Sequence, residues 1–60
     1  MMFNFDVWLR SRTTPSIMCY QVEVEGTDWL ETAHDIMVQT SDEGWECYDV
    51  RFMGIECFEI

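Results

Sequence analysis

Twelve carboxylates dominate the chemistry open to this chain. Glu23 and Glu25 stand two residues apart, which on a strand puts both on one face, roughly 6.7 Å from each other. Asp28, Glu31 and Asp35 recur at helical spacing, and Asp42, Glu43 and Glu46 gather where the sequence turns. Paired carboxylates can serve acid–base catalysis, but every acidic surface offers such pairs. Proton transfer also needs an oriented partner and a place for substrate. The single histidine, His34, lies beside Asp35 on the flank of an apolar helical stripe and reads as a boundary residue, not a general base. A domain this small rarely encloses a pocket of ~300 Å³. The chain is read as a non-enzyme.

Metal binding is the other chemistry to weigh. Cys19, His34, Cys47 and Cys57 would supply a Cys₃His donor set. No Cys-x-x-Cys knuckle joins them, and they fall on separate elements. The Asp42-Glu43-Gly44 turn lacks the ligand series of a calcium loop. No metal and no cofactor is expected.

What remains is electrostatic recognition. The net charge is −9, with three arginines and no lysine. Residues 1–18 hold Asp6, Arg10 and Arg12, a balance of +1; residues 19–60 hold eleven acids and Arg51, a balance of −10. Such a field repels phosphate backbones and anionic lipid and draws in basic surfaces. Direct nucleic-acid or membrane binding is therefore not expected, and a basic protein is the natural partner. Rows of regularly spaced carboxylates can imitate a nucleic-acid backbone and occupy a basic cleft. In size and charge, though in no motif, the chain is similar to small acidic proteins of phages and mobile elements that block restriction or CRISPR enzymes in this way.

The elements that would position these groups follow from periodicity. Phe3, Phe5, Val7 and Leu9 alternate with Asn4, Asp6, Trp8 and Arg10, the pattern of a half-buried strand over residues 3–10. Residues 11–16 are polar, contain the one proline and read as a loop. A second strand over 17–25 sets Met18, Tyr20, Val22 and Val24 against Cys19, Gln21, Glu23 and Glu25. The short loop predicts an antiparallel hairpin.

Thr27 or Asp28 can cap a helix running from about residue 28 to 40, with Glu31 three residues after Asp28. Trp29, Leu30, Ala33, Ile36 and Met37 form its apolar stripe, and Asp28, Glu31 and Asp35 line the other side. Ser41 to Gly44 make a turn. A third strand over 45–52 is predicted with Tyr48, Val50 and Phe52 inward and Trp45, Cys47, Asp49 and Arg51 outward. Residues 55–60 either continue it past a bulge at Gly54 or return as a short fourth strand; the pattern leaves both open.

A right-handed strand–helix–strand connection makes the second and third strands parallel, so the first belongs between them. The expected fold is one α+β domain over residues 1–60. One helix covers one face of a small, mostly antiparallel sheet of three or four strands in the order β-β-α-β.

The uncovered face would then display Trp8, Ile17, Cys19, Trp45 and Cys47 among Gln21, Glu23, Glu25, Asp49 and Arg51. Tryptophan and arginine are enriched at binding hot spots, since each joins a large apolar area to a polar handle. The candidate binding residues are Trp8, Glu23, Glu25, Asp28, Glu31, Asp35, Trp45, Asp49 and Arg51. The expected function is a small acidic module that inhibits or regulates a larger basic, nucleic-acid-binding protein as a nucleic-acid mimic of anti-defence type. The alternative is a structural or assembly subunit, an obligate homodimer or a small component of a larger complex. The apolar alternation of Ile55 to Ile60 offers a second route to dimerisation by strand addition.

Three cysteines, an odd number without tight spacing, predict a reducing compartment. The opening residues lack the basic and apolar regions of a signal peptide, and no apolar run approaches the ~20 residues of a membrane span. These features predict a cytoplasmic protein, in host cytoplasm if phage-encoded.

Overall fold

The computed structural model describes residues 1–56, and of Glu56 the backbone alone. Four elements follow in chain order: β1 (Met2–Ser11), β2 (Ile17–Glu25), α1 (Trp29–Thr40) and β3 (Trp45–Glu56). The three strands form one sheet in the order β2-β1-β3. Both ladders are antiparallel, so β2 and β3 run parallel to each other across the central β1. The α+β class and the β-β-α-β order are those expected from the sequence.

Strand β1 is central because its alternation is the cleanest in the chain. Phe3, Phe5, Val7 and Leu9 are all buried, and Phe5 and Val7 are fully so. Around them pack Tyr20, Val22 and Val24 of β2, Ala33 and Ile36 of α1, and Trp45, Cys47, Val50 and Phe52 of β3. Edge-on contacts tie the aromatics together: Phe3 lies 5.8 Å from Phe52 and 6.3 Å from Phe5, centroid to centroid.

The helix starts where its cap dictates. Asp28 is extended and its Oδ1 accepts a hydrogen bond from the Leu30 N–H at 3.0 Å, satisfying a donor the first turn would leave open. At the other end the Ser41 hydroxyl donates to the Met37 carbonyl and accepts from the Cys47 N–H, which pins the helix to β3. Gly26 precedes the helix for want of space: a Cβ there would stand 2.5 Å from Thr32 Oγ1 and 3.2 Å from the Phe3 ring.

The apolar stripe of α1 is narrower than its wheel suggests. Ile36 is buried and Ala33 half-buried, but Leu30 and Met37 are exposed, and Trp29 touches the sheet through one ring face only. The helix rests mainly on β3 and more lightly on β1. One helix set off-centre on three strands cannot bury a flank that overhangs them.

Strand β3 departs from simple alternation twice. Its register against β1 shifts between Trp8 and Leu9, where Tyr48 is the extra residue, and between Asn4 and Phe5, where Met53 is. Each bulge inverts side-chain parity. Trp45 and Cys47 therefore face the same side as Val50 and Phe52; Cys47 is buried and Trp45 packs against the core. The outward placement expected for Trp45 and Cys47, and the inward one for Tyr48, are corrected: Tyr48 is exposed. Of the two outcomes left open for the chain past Gly54, β3 continues through it to Glu56, with Gly54 at a φ of 126°. Residues 57–60, including Cys57, lie outside the described residues.

Candidate interaction surface

The face of the sheet away from α1 can be read row by row. On it Trp8 stands between Cys19 of β2 and Asp49 of β3, and Asp6 stands between Gln21 and Arg51. Next to these, Asn4 lies between Glu23 and Gly54, and Arg10 between Ile17 and Glu46. Among the described side chains, five acids, Asp6, Glu23, Glu25, Glu46 and Asp49, share the face with Arg10 and Arg51. An open groove of about 460 Å³ crosses it, lined by Asn4, Asp6, Gln21, Glu23 and the bulged Met53 together with Phe5 and Val22.

Every arginine is engaged by an acid. Arg10 donates through Nε to Glu46 at 2.8 Å while its guanidinium lies 5.5 Å from the centre of the Tyr48 ring. Arg12 reaches the same Glu46 at 3.5 Å and donates to the Asp42 carbonyl at 2.8 Å. Arg51 donates to Asp49 at 2.9 Å. No arginine is left over for Glu25, Asp28, Glu31 or Asp35, which form no ion pair among the described residues.

Two polar atoms on the open face are buried without a partner among the described residues, the Asp6 Oδ1 and the Trp8 Nε1. They belong to residues two apart on one face of β1. Burying such groups unpaired works against folding, so each exception in a native structure calls for a physical reason. Trp8 is among the residues expected on this face; Asp6 is not among the candidates, although strict alternation along β1 puts both there.

The predicted binding residues do not form one surface. Trp8, Glu23, Glu25, Asp49 and Arg51 lie on the open face of the sheet. Asp28, Glu31 and Asp35 are exposed on α1, on the opposite side of the core. Trp45 is half-buried on the helix-covered side, so the open face has one tryptophan and not two. It also carries Ile17, and Tyr48 and Met53, which the two bulges turn outward; the slip in apolar phase between Cys47 and Val50 is the sequence signal for the first bulge.

Cys19, Cys47 and His34 do not converge either. Cys19 is exposed on the open face, Cys47 is buried on the other side, and His34 is exposed on α1. No group of three or more His, Cys, Asp or Glu side chains among the described residues could hold a metal ion. No described helix is long and apolar enough to cross a membrane.

Fold and surface together define a three-stranded antiparallel α+β domain with carboxylates on both broad faces. No family model, no curated protein and no solved structure matches the chain.

Proposed function

We propose that this protein is an acidic binding module that inhibits or regulates a larger basic protein, one whose cleft is built for nucleic acid. The observation that supports this reading is the disposition of charge. Arg10, Arg12 and Arg51 are drawn into pairs with Glu46 and Asp49, while Glu25, Asp28, Glu31 and Asp35 present uncompensated charge from both faces. A cationic cleft facing such a surface gains attraction, speed of association and selectivity against acidic competitors. Trp8, Asp49 and Arg51, side by side across β1 and β3, supply a compact anchor of mixed character within that field.

The two acidic faces make the reading testable in parts. Affinity capture from the native host at low and high salt is expected to return basic, nucleic-acid-binding proteins whose retention falls steeply as salt rises. Neutralising one face with Glu23→Gln and Glu25→Gln, and separately the other with Asp28→Asn, Glu31→Gln and Asp35→Asn, identifies the face that docks. Partners that are neutral or acidic, held with salt-insensitive affinity, would remove the electrostatic basis of the proposal.

A further inference from the structure

The two edges of the sheet are not alike. The β3 edge is broken by bulges at Tyr48 and Met53 and by Gly54, devices that keep an edge from pairing with another chain. The β2 edge has none of these. Its nine residues, Ile17–Glu25, run without a register shift against β1 and contain no proline and no lysine. Its core-side residues are also incompletely covered, because α1 rests on β3 and β1: Met18 is 41% exposed, and Tyr20, Val22 and Val24 are only half-buried.

We infer that β2 is a self-association edge, pairing antiparallel with the β2 of a second copy across a two-fold axis at Gln21. That register uses all nine residues. On the core side it sets Met18 opposite Val24 and Tyr20 opposite Val22 of the second copy, joining two half-covered apolar strips into one. On the open side it sets Cys19 opposite Glu23, Ile17 opposite Glu25, and Gln21 opposite itself, so no acid faces an acid. Moving the axis to Glu23 would oppose that carboxylate to itself, which cross-strand pairing disfavours.

The register admits a second copy as the occupant despite the net −9, because it sets no carboxylate of β2 opposite another. The Ile17 end of β2 lies beside Arg10, with Arg12 in the adjoining loop, and the other end carries Glu23 and Glu25. Two-fold pairing carries Glu23 and Glu25 of each copy toward the end of the other that holds Arg10 and Arg12, whose charge Glu46 already shares. The resulting six-stranded sheet keeps both open faces on one side and both helices on the other, and its outer edges are the bulged β3 strands, so association stops at two.

Sedimentation across about 1–100 µM, the range in which modest interfaces associate, is expected to show a species of twice the 7.2 kDa chain. Cys19→Lys places a cation opposite Glu23 of the second copy and should tighten the dimer roughly 2- to 30-fold through its two symmetry-related pairs. Gln39→Lys, on the exposed surface of α1, changes net charge equally and should have far less effect. With Cys19→Ser to remove the neighbouring thiol, Gln21→Cys should give an oxidant-dependent disulfide between copies that maps to residue 21, and Glu25→Cys should not. A monomer at every concentration would overturn the inference and leave the edge to a strand of a different protein. Equal responses to Cys19→Lys and Gln39→Lys, or crosslinking at 25 and not at 21, would overturn it as well.

Discussion

Trp29 lies flat against Phe52, their ring centroids 4.8 Å apart and their planes 12° from parallel. The first residue of the helix is thereby fastened to the middle of β3, next to the aromatic cluster of Phe3 and Phe5. Trp29 remains 42% exposed, so the stack contributes less than a fully buried tryptophan would. Trp29→Ala is expected to destabilise the domain by about 2 kcal/mol, below the ~3–5 kcal/mol typical of buried aromatic truncations. Trp29→Phe should recover most of the loss, since a smaller ring can still stack. Denaturant melts of the two variants against the parent chain measure both effects; a silent Trp29→Ala would show that Ile36 and Ala33 hold the helix unaided.

Phe5 makes a harsher test. It is fully buried at the centre of β1, 5.7 Å from Phe52 and 6.3 Å from Phe3. Phe5→Ala should cost about 3–5 kcal/mol, close to the whole ~3–5 kcal/mol that a core of this size supplies. The variant is expected to be largely unfolded at room temperature by circular dichroism. Leu30→Ala, at a side chain 64% exposed, should melt within about 0.5 kcal/mol of the parent.

How much of this was legible depends on which element is asked. The alternation of Phe3, Phe5, Val7 and Leu9 and the cap at Asp28 are local patterns with single physical readings, and both stand in the structure. β3 departs from its expected pattern because its apolar residues change phase: Trp45 and Cys47 are odd, Val50 and Phe52 even, and Ile55 odd again. Assuming unbroken alternation puts Trp45 and Cys47 on the wrong face. Two phase slips predict two bulges, and only the second carried a glycine to advertise it. The off-centre seat of α1 has no counterpart in its wheel, since it depends on which strands lie beneath. For that reason the split of the acids onto two faces emerged only with the tertiary arrangement.

The bulge at Met53 yields a contrast between two glycines. Gly54 has a φ of 126°, a conformation that side-chain-bearing residues rarely adopt, although a Cβ there would meet nothing within 4 Å. Gly44 has no such strain, and a Cβ there would lie 3.6 Å from Asp42 Oδ1, ordinary contact. Gly54→Ala should therefore cost about 1–2 kcal/mol through the backbone alone, and Gly44→Ala should stay within about 0.5 kcal/mol. Thermal melts separate the two, and equal values would mean that β3 relaxes into ordinary geometry beyond Phe52.

Asp6 joins stability to binding most directly. Its Oδ1, like the Trp8 Nε1 on the same face, is buried without a partner among the described residues, and Arg51, across the ladder from it, is turned to Asp49. Replacing the carboxylate with a β-branched apolar group removes an unmet acceptor and suits a pleated surface. Asp6→Val is expected to stabilise the fold by about 1 kcal/mol, a rise of roughly 4–8 °C in Tm for a domain of this size. Asp6→Asn keeps the shape and leaves an acceptor unmet, so it should bring no such gain. If the row of Asp6, Trp8, Asp49 and Arg51 docks the basic partner, the stabler Asp6→Val protein should bind that partner more weakly, the exchange expected where polar groups are kept for recognition at the expense of the fold. A fall in Tm for Asp6→Val would instead show that the carboxylate answers the Arg51 guanidinium in solution.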